Sequence, residues 1–152
     1  MAAPRRLVVD PNVLVSAAIS TGGATAAVID LIDASIILAV VSPKLLAELD
    51  GVLRRDKFRQ WLELDRAAEF VAELGRVAEI ADDPDQTRPV SPDPDDDYLI
   101  ALARSTRADA LVSGDSDLTD LELDDLRVLT PRQLVDELAA SLDNRTPDGE
   151  PT

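Results

Sequence analysis

Four acids stand where the chain changes direction, and together they could hold an ion. Asp10 follows Leu7-Val8-Val9 and precedes Pro11. Glu48 lies five residues beyond Pro43, Asp96 falls within the run Asp93–Asp97, and Asp115 follows Ala110-Leu111-Val112-Ser113-Gly114. The chain has no histidine and no cysteine, which removes zinc fingers, thiol nucleophiles, disulfides and any Ser-His-Asp triad. Carboxylates alone suit a hard cation, Mg2+ or Mn2+, rather than zinc. Gathered in one place, they would raise each other's pKa unless a cation lay between them. An ion held in this way keeps waters, accepts phosphate oxygens and supports in-line displacement at a phosphodiester.

The elements that must position these acids alternate along the chain. Leu7–Val9 is a short apolar strand of the kind buried on both faces of a parallel sheet. Pro11 favours an extended Asp10 at the strand's end. Helical segments follow at about Val13–Ala18 and Ala24–Ala34, then a strand over Ile36–Val41. Ser42-Pro43 supplies an N-cap and a first-turn proline for the next helix, whose apolar face is Leu45, Leu46, Leu49, Val52 and Leu53. More helix is expected over Lys57–Ala78. A Pro- and Asp-rich loop covers Ala81–Asp97, with a short strand placed near Thr87–Val90. Asp95 is read as the cap of a helix over Asp96–Arg107. Strands follow at Ala110–Ser113 and Arg127–Leu129, and Thr130-Pro131-Arg132-Gln133 reads as a capping box opening the last helix.

This alternation predicts an α/β fold of three layers, with a mostly parallel central sheet flanked by helices. In such folds ligands bind beyond the carboxyl ends of the strands. Asp10 and Asp115 lie past two such ends, and Asp96 begins a helix that returns from the same edge. Glu48 is roughly 8 Å down its helix at 1.5 Å per residue, within reach of that edge. All four acids therefore converge on one rim.

Length and charge bound the rest. The 152 residues, 45% of them hydrophobic, make one domain over 1–142, and a disordered tail is expected over 143–152. Thirty acids against fifteen bases give a net charge of −15, which argues against broad non-specific coating of DNA. No apolar run approaches the roughly 18 residues of a membrane span, so a cytoplasmic protein is expected. Arg54, Arg55 and Arg59, with Phe58 and Trp61 beside them, are candidates for RNA contact.

The blocks Asp10–Ala17, Leu46–Leu49, Asp93–Ala103 and Val112–Leu118 strongly resemble the PIN-domain ribonucleases. The resemblance is greatest to the VapC-like toxin components of toxin–antitoxin pairs. It runs from about Arg5 to Leu142 with all blocks in order. It implies an RNA endonuclease using Mg2+ or Mn2+, restrained by a small cognate antitoxin and pairing with itself as a homodimer. Residue by residue, Asp10, Asp96 and Asp115 match the family's metal-binding aspartates, and Glu48 matches its glutamate. Asn12 and Ser113 match polar positions that orient the ligands, and Asp117 matches an auxiliary acid. Pro11 stands where the wider family often has threonine. Among the adjacent acids Asp93, Asp95, Asp96 and Asp97, the seven-residue spacing to Ala103 favours Asp96, with Asp93 in reserve.

Other readings stay open. A catalytically inactive binding module could keep this fold and all four acids. An acidic receiver-type phosphorylation domain would need a late lysine, whereas the only lysines are Lys44 and Lys57. A dehalogenase-type phosphatase would need an aspartate where Asn12 stands.

Overall fold

The computed structural model describes residues 4–145. Its centre is a five-stranded sheet made of β1 (Arg6–Val9), β2 (Leu38–Val41), β3 (Glu79–Ile80), β4 (Ala110–Val112) and β5 (Arg127–Leu129). All four pairings are parallel, and the strand order is β3-β2-β1-β4-β5. Leu7, Val8, Val40, Leu111 and Val112 are all wholly buried, as expected for strands covered on both faces. Burial of each such leucine or valine is worth about 1.5–3 kcal/mol relative to exposure.

Among the described residues seven α-helices flank the sheet: α1 (Pro11–Ile19), α2 (Gly23–Asp33), α3 (Pro43–Leu53), α4 (Leu64–Val77), α5 (Pro94–Ser105), α6 (Ser116–Thr119) and α7 (Pro131–Arg145). Helices α1 to α4 pack in sequence-linked pairs, α7 lies against α2, and α5 packs on β1 and β4. Right-handed crossovers put the connections leading to β2 and β3 on one face and α5 on the other. That is the three-layer α/β arrangement.

Four of these helices open on a proline preceded by a short polar residue: Asp10-Pro11, Ser42-Pro43, Asp93-Pro94 and Thr130-Pro131. The proline's missing N–H is no loss in a first turn, and the polar side chain caps a free backbone N–H. Asp10 accepts from Asn12, Ser42 from Leu45 and Asp93 from Asp95. Thr130 and Gln133 exchange side-chain bonds to each other's backbone N–H groups at 3.0 and 2.9 Å, closing the expected capping box.

Three local expectations are corrected. The strand expected at Thr87–Val90 is absent among the described residues; β3, at Glu79–Ile80, takes the edge of the sheet and pairs with β2. Pro89 has no N–H to offer a ladder, and the Val90 N–H is taken by the Asp97 carboxylate at 2.8 Å. The cap of α5 is Asp93 rather than Asp95, because Pro94 rather than Asp96 begins the helix. The stretch from Lys57 is broken, with a 3-10 turn at Asp56–Phe58 before α4. Helix α7 continues to Arg145, and the rest of the expected disordered tail, from residue 146, lies outside the described residues. Among the described residues no single helix is long and apolar enough to cross a membrane.

Candidate metal centre

The strand order reverses direction between β1 and β4, the point at which open α/β sheets bind ligands beyond the carboxyl ends of their strands. Asp10 leaves β1 there; its own N–H continues the ladder by donating to the Val112 carbonyl at 2.9 Å. Ser113, immediately after β4, is wholly buried, and its hydroxyl donates to Asp10 Oδ2 at 2.8 Å. The same Ser113 oxygen accepts the Asp115 N–H at 3.0 Å. One hydroxyl therefore ties the two strand ends together. Asp10 Oδ1 is held by the Asn12 N–H at 2.9 Å.

Asp96, in the first turn of α5, is brought to the same place from the opposite face of the sheet. Ligand oxygens of Asp96, Asp115 and Asp117 lie within 4.8 Å of one another. The Asp96 side chain is buried, and its Oδ2 has no hydrogen-bond partner. Burial, followed by repulsion from Asp115, Asp93, Asp10 and Asp117, pushes the Asp96 carboxyl up to about 6. Burial likewise raises Asp10, against the lowering effect of its bonds from Asn12 and Ser113. A buried, unpartnered carboxylate oxygen among other carboxylates is costly in water. A divalent cation would satisfy it. All the donors are hard oxygens, as Mg2+ or Mn2+ requires.

Glu48 is an exposed residue on α3. Partial desolvation and the nearby Asp95 raise its carboxyl, Lys44 one turn earlier opposes the shift, and Asp10 and Asp93 add to it. It therefore faces the same field of acids without joining the tight group. The run 93–97 divides by position: Asp93 caps α5, Asp95 is exposed, Asp96 enters the cluster, and Asp97 turns away. Burial pushes Asp97 up, but the Val90 and Ser91 N–H groups, both at 2.8 Å, hold it below the usual carboxylate range. Its work is to fasten the loop to α5.

The grouping differs in detail from the one read off the sequence. Asp117, expected as an auxiliary acid, stands with Asp96 and Asp115 in the group, and Asp10, expected as a ligand beside them, is not one of the three. Asn12 acts on Asp10 through its backbone N–H. Arg54, Arg55 and Arg59 are not brought to the acids: they follow α3, about 16 Å of helix from its start at the rim. Arg54 pairs with Asp50 at 2.9 Å, and the Arg59 guanidinium donates to the Leu53 carbonyl.

Sequence reasoning also missed a chain of hydroxyls that joins α3 to α5. Buried Tyr98, two residues beyond Asp96, donates to Asp83, and burial together with that bond pushes its phenol up to about 12. Asp83 can only accept, so the wholly buried Ser42 hydroxyl donates to Tyr98 while accepting from the Leu45 N–H. The start of the Glu48 helix is thereby tied to the start of the Asp96 helix. Tyr98 is the chain's single tyrosine, which was the available signal.

Comparison with known proteins gives three results. A family model described as PIN domain matches residues 6–117. The chain is 28% identical over 142 residues to an uncharacterized protein of Methanocaldococcus jannaschii, covering 87% of this chain and 90% of that one. Its fold is similar to a chain in the crystal structure of VapBC2 from Rickettsia felis bound to a DNA fragment from their promoter. That match has a TM-score of 0.60 at 16% identity and covers 82% of this chain and 98% of the other.

Proposed function

The chain belongs to the PIN domain family, and from that premise we propose that it is a Mg2+- or Mn2+-dependent endoribonuclease, the toxin of a toxin–antitoxin pair. The observation that carries this reading is buried Asp96, whose Oδ2 has no hydrogen-bond partner and whose carboxylate has an oxygen within 4.8 Å of ligand oxygens of Asp115 and Asp117. Such an oxygen is suited to a cation.

Asp96, Asp115 and Asp117 would hold the ion. Asp10 would lie beside them with lone pairs to spare beyond its two hydrogen bonds. When bound, a divalent ion supplies Lewis acidity to the phosphodiester and lowers the pKa of water for in-line attack. The protein's own part is to hold the acids at fixed separation. Ser113 fixes Asp10 against Asp115, and the Tyr98–Ser42 link fixes α5 against α3. Glu48, exposed and with its raised carboxyl, faces these acids, where it would orient water or help to hold a second ion.

The partner reading follows the same premise. A small antitoxin would cover the acidic rim, and the chain would pair with itself as a homodimer. The similarity in fold to a chain of the VapBC2 assembly supports it. Cleavage of defined single-stranded RNAs in Mg2+ or Mn2+, abolished by EDTA, tests the enzyme. Isolation of active protein that is harmless on expression, with no co-purifying small protein, would count against the toxin pairing.

A further inference from the structure

Next to the acids, on the side away from Glu48, the structure holds a cavity of about 640 Å3. Asp115, itself one of the clustered acids, and Asn12 line it on one side; Ser16 and Thr25 line it from α1 and α2, and Pro131 and Arg132 from the start of α7. The position follows from the sheet. Ser113 donates its N–H to the Leu129 carbonyl at 2.9 Å, so the residues after β5 stand beside those after β4.

Resting on the ribonuclease reading above, we propose that this cavity seats the nucleotide adjoining the scissile phosphate of a single-stranded RNA, with Arg132 on its phosphate. A chain of net charge −15 must neutralise an incoming polyanion locally, and the acids alone repel it. Arg6, Arg54, Arg76, Arg104 and Arg127 are each paired with an acid. Arg132 has no such pair among the described residues, is exposed, and is the one cation lining this cavity. A guanidinium presents the donor fork that matches phosphate oxygens. Ser16 and Thr25, hydrogen-bonded to each other at 3.3 Å, also line the cavity, and the pair keeps one hydroxyl proton and free lone pairs for a ribose or base edge. The volume lies within the roughly 300–1,000 Å3 of small-molecule sites. A nucleotide enters such a pocket only when splayed out of a stack, which selects single strands.

The test uses full-length protein carrying Asp96→Asn, which stops turnover, in Mn2+ with a fluorescent single-stranded RNA of random sequence. Adding Arg132→Ala is expected to weaken binding about tenfold and to flatten the log-affinity against log-salt slope by about 0.7, the loss of one phosphate contact. Adding Arg132→Lys is expected to restore the slope. Adding Thr25→Leu, which narrows the cavity and removes a hydroxyl from its lining, is expected to weaken binding with the slope unchanged. Arg132 is exposed, so its removal should leave the melting temperature in place. Equal binding with and without Arg132, by a protein whose wild type cleaves RNA, overturns the pocket and leaves the nuclease reading intact. No cleavage by the wild type and no binding by any variant overturns both.

Discussion

The hydroxyl of Ser113 donates to Asp10 Oδ2 at 2.8 Å, joining two acid-bearing strand ends that lie 103 residues apart in sequence. It is wholly buried, and it also accepts the N–H of Asp115. Among the described residues neither acid is paired with a charge of opposite sign. Their separation depends on a neutral group that leaves their negative charge available to a cation.

Ser113→Ala should therefore act on stability and on turnover together. It leaves a buried carboxylate oxygen and a backbone N–H without their partner, a loss of about 1–3 kcal/mol. Urea unfolding should show that destabilisation in metal-free protein. RNA cleavage should fall about five- to a hundredfold if the same loss of organisation is felt in the transition state, since each 1.4 kcal/mol is a factor of ten. Wild-type stability in the variant would mean the bridge is not formed in solution.

Asp96 gives the metal-free protein a pH dependence whose sign is opposite to that of a salt-bridged acid. Its carboxyl is raised from the ordinary 3.8 to about 6. Between those values the folded state binds more protons than the unfolded one, so stability falls as pH rises. From pH 5 to pH 7 the expected loss is about 1 kcal/mol. The neighbouring Asp10 and Glu48, also raised, act in the same direction. Denaturant midpoints in EDTA at fixed ionic strength should show the decline, and Asp96→Asn should remove most of it. Mn2+ should reverse it in the wild type, because the ion binds the deprotonated acid. A midpoint that rises over this window would contradict the burial of Asp96.

The start of α5 offers a sharper contrast between neighbours. Asp93 accepts the Asp95 N–H at 2.9 Å, whereas Asp95 is exposed and caps nothing. Asp93→Ala should cost about 1 kcal/mol, and Asp95→Ala should leave the unfolding midpoint in place. Equal effects would return the cap to Asp95.

Much of the fold was legible because local signals agreed with tertiary ones. Apolar runs ending at Asp10 and before Asp115 marked two parallel strands, and the order of elements put both acids on one edge. The helix starts at Ser42-Pro43 and Thr130-Pro131 were read directly, and the same pattern at Asp93-Pro94 was overlooked among crowded aspartates. Strand β3, two residues long with Ile80 more than half exposed, has too little apolar pattern to be seen. Thr87–Val90 looked more strand-like, but Pro89 and the Asp97 bond rule out a ladder there. The choice of Asp96 from the sequence rested on spacing. The closeness of Asp117 to it depends on how the starts of α5 and α6 meet at the sheet edge, and the hydroxyl chain through Tyr98 on how α5 meets α3; no local pattern encodes either.

The arginines after α3 show the same limit from the other side. Clustering in sequence made Arg54, Arg55 and Arg59 candidates for RNA, yet α3 carries them away from the rim. Arg54→Ala and Arg55→Ala should change RNA affinity by no more than about twofold at physiological salt, where charges beyond a Debye length of about 8 Å are screened. Filter binding beside Arg132→Ala makes the comparison direct; a tenfold loss from either would place the substrate path over the far end of α3.

The most direct test of the shared carboxylate site is isothermal titration of Mn2+ into wild-type, Asp10→Ala and Asp96→Asn proteins, paired with RNA cleavage by the same preparations. The account predicts saturable binding by the wild type, lost or weakened at least about tenfold in Asp96→Asn, with cleavage falling in parallel and stopping in EDTA. Unaltered ion binding and unaltered cleavage in both variants would contradict it.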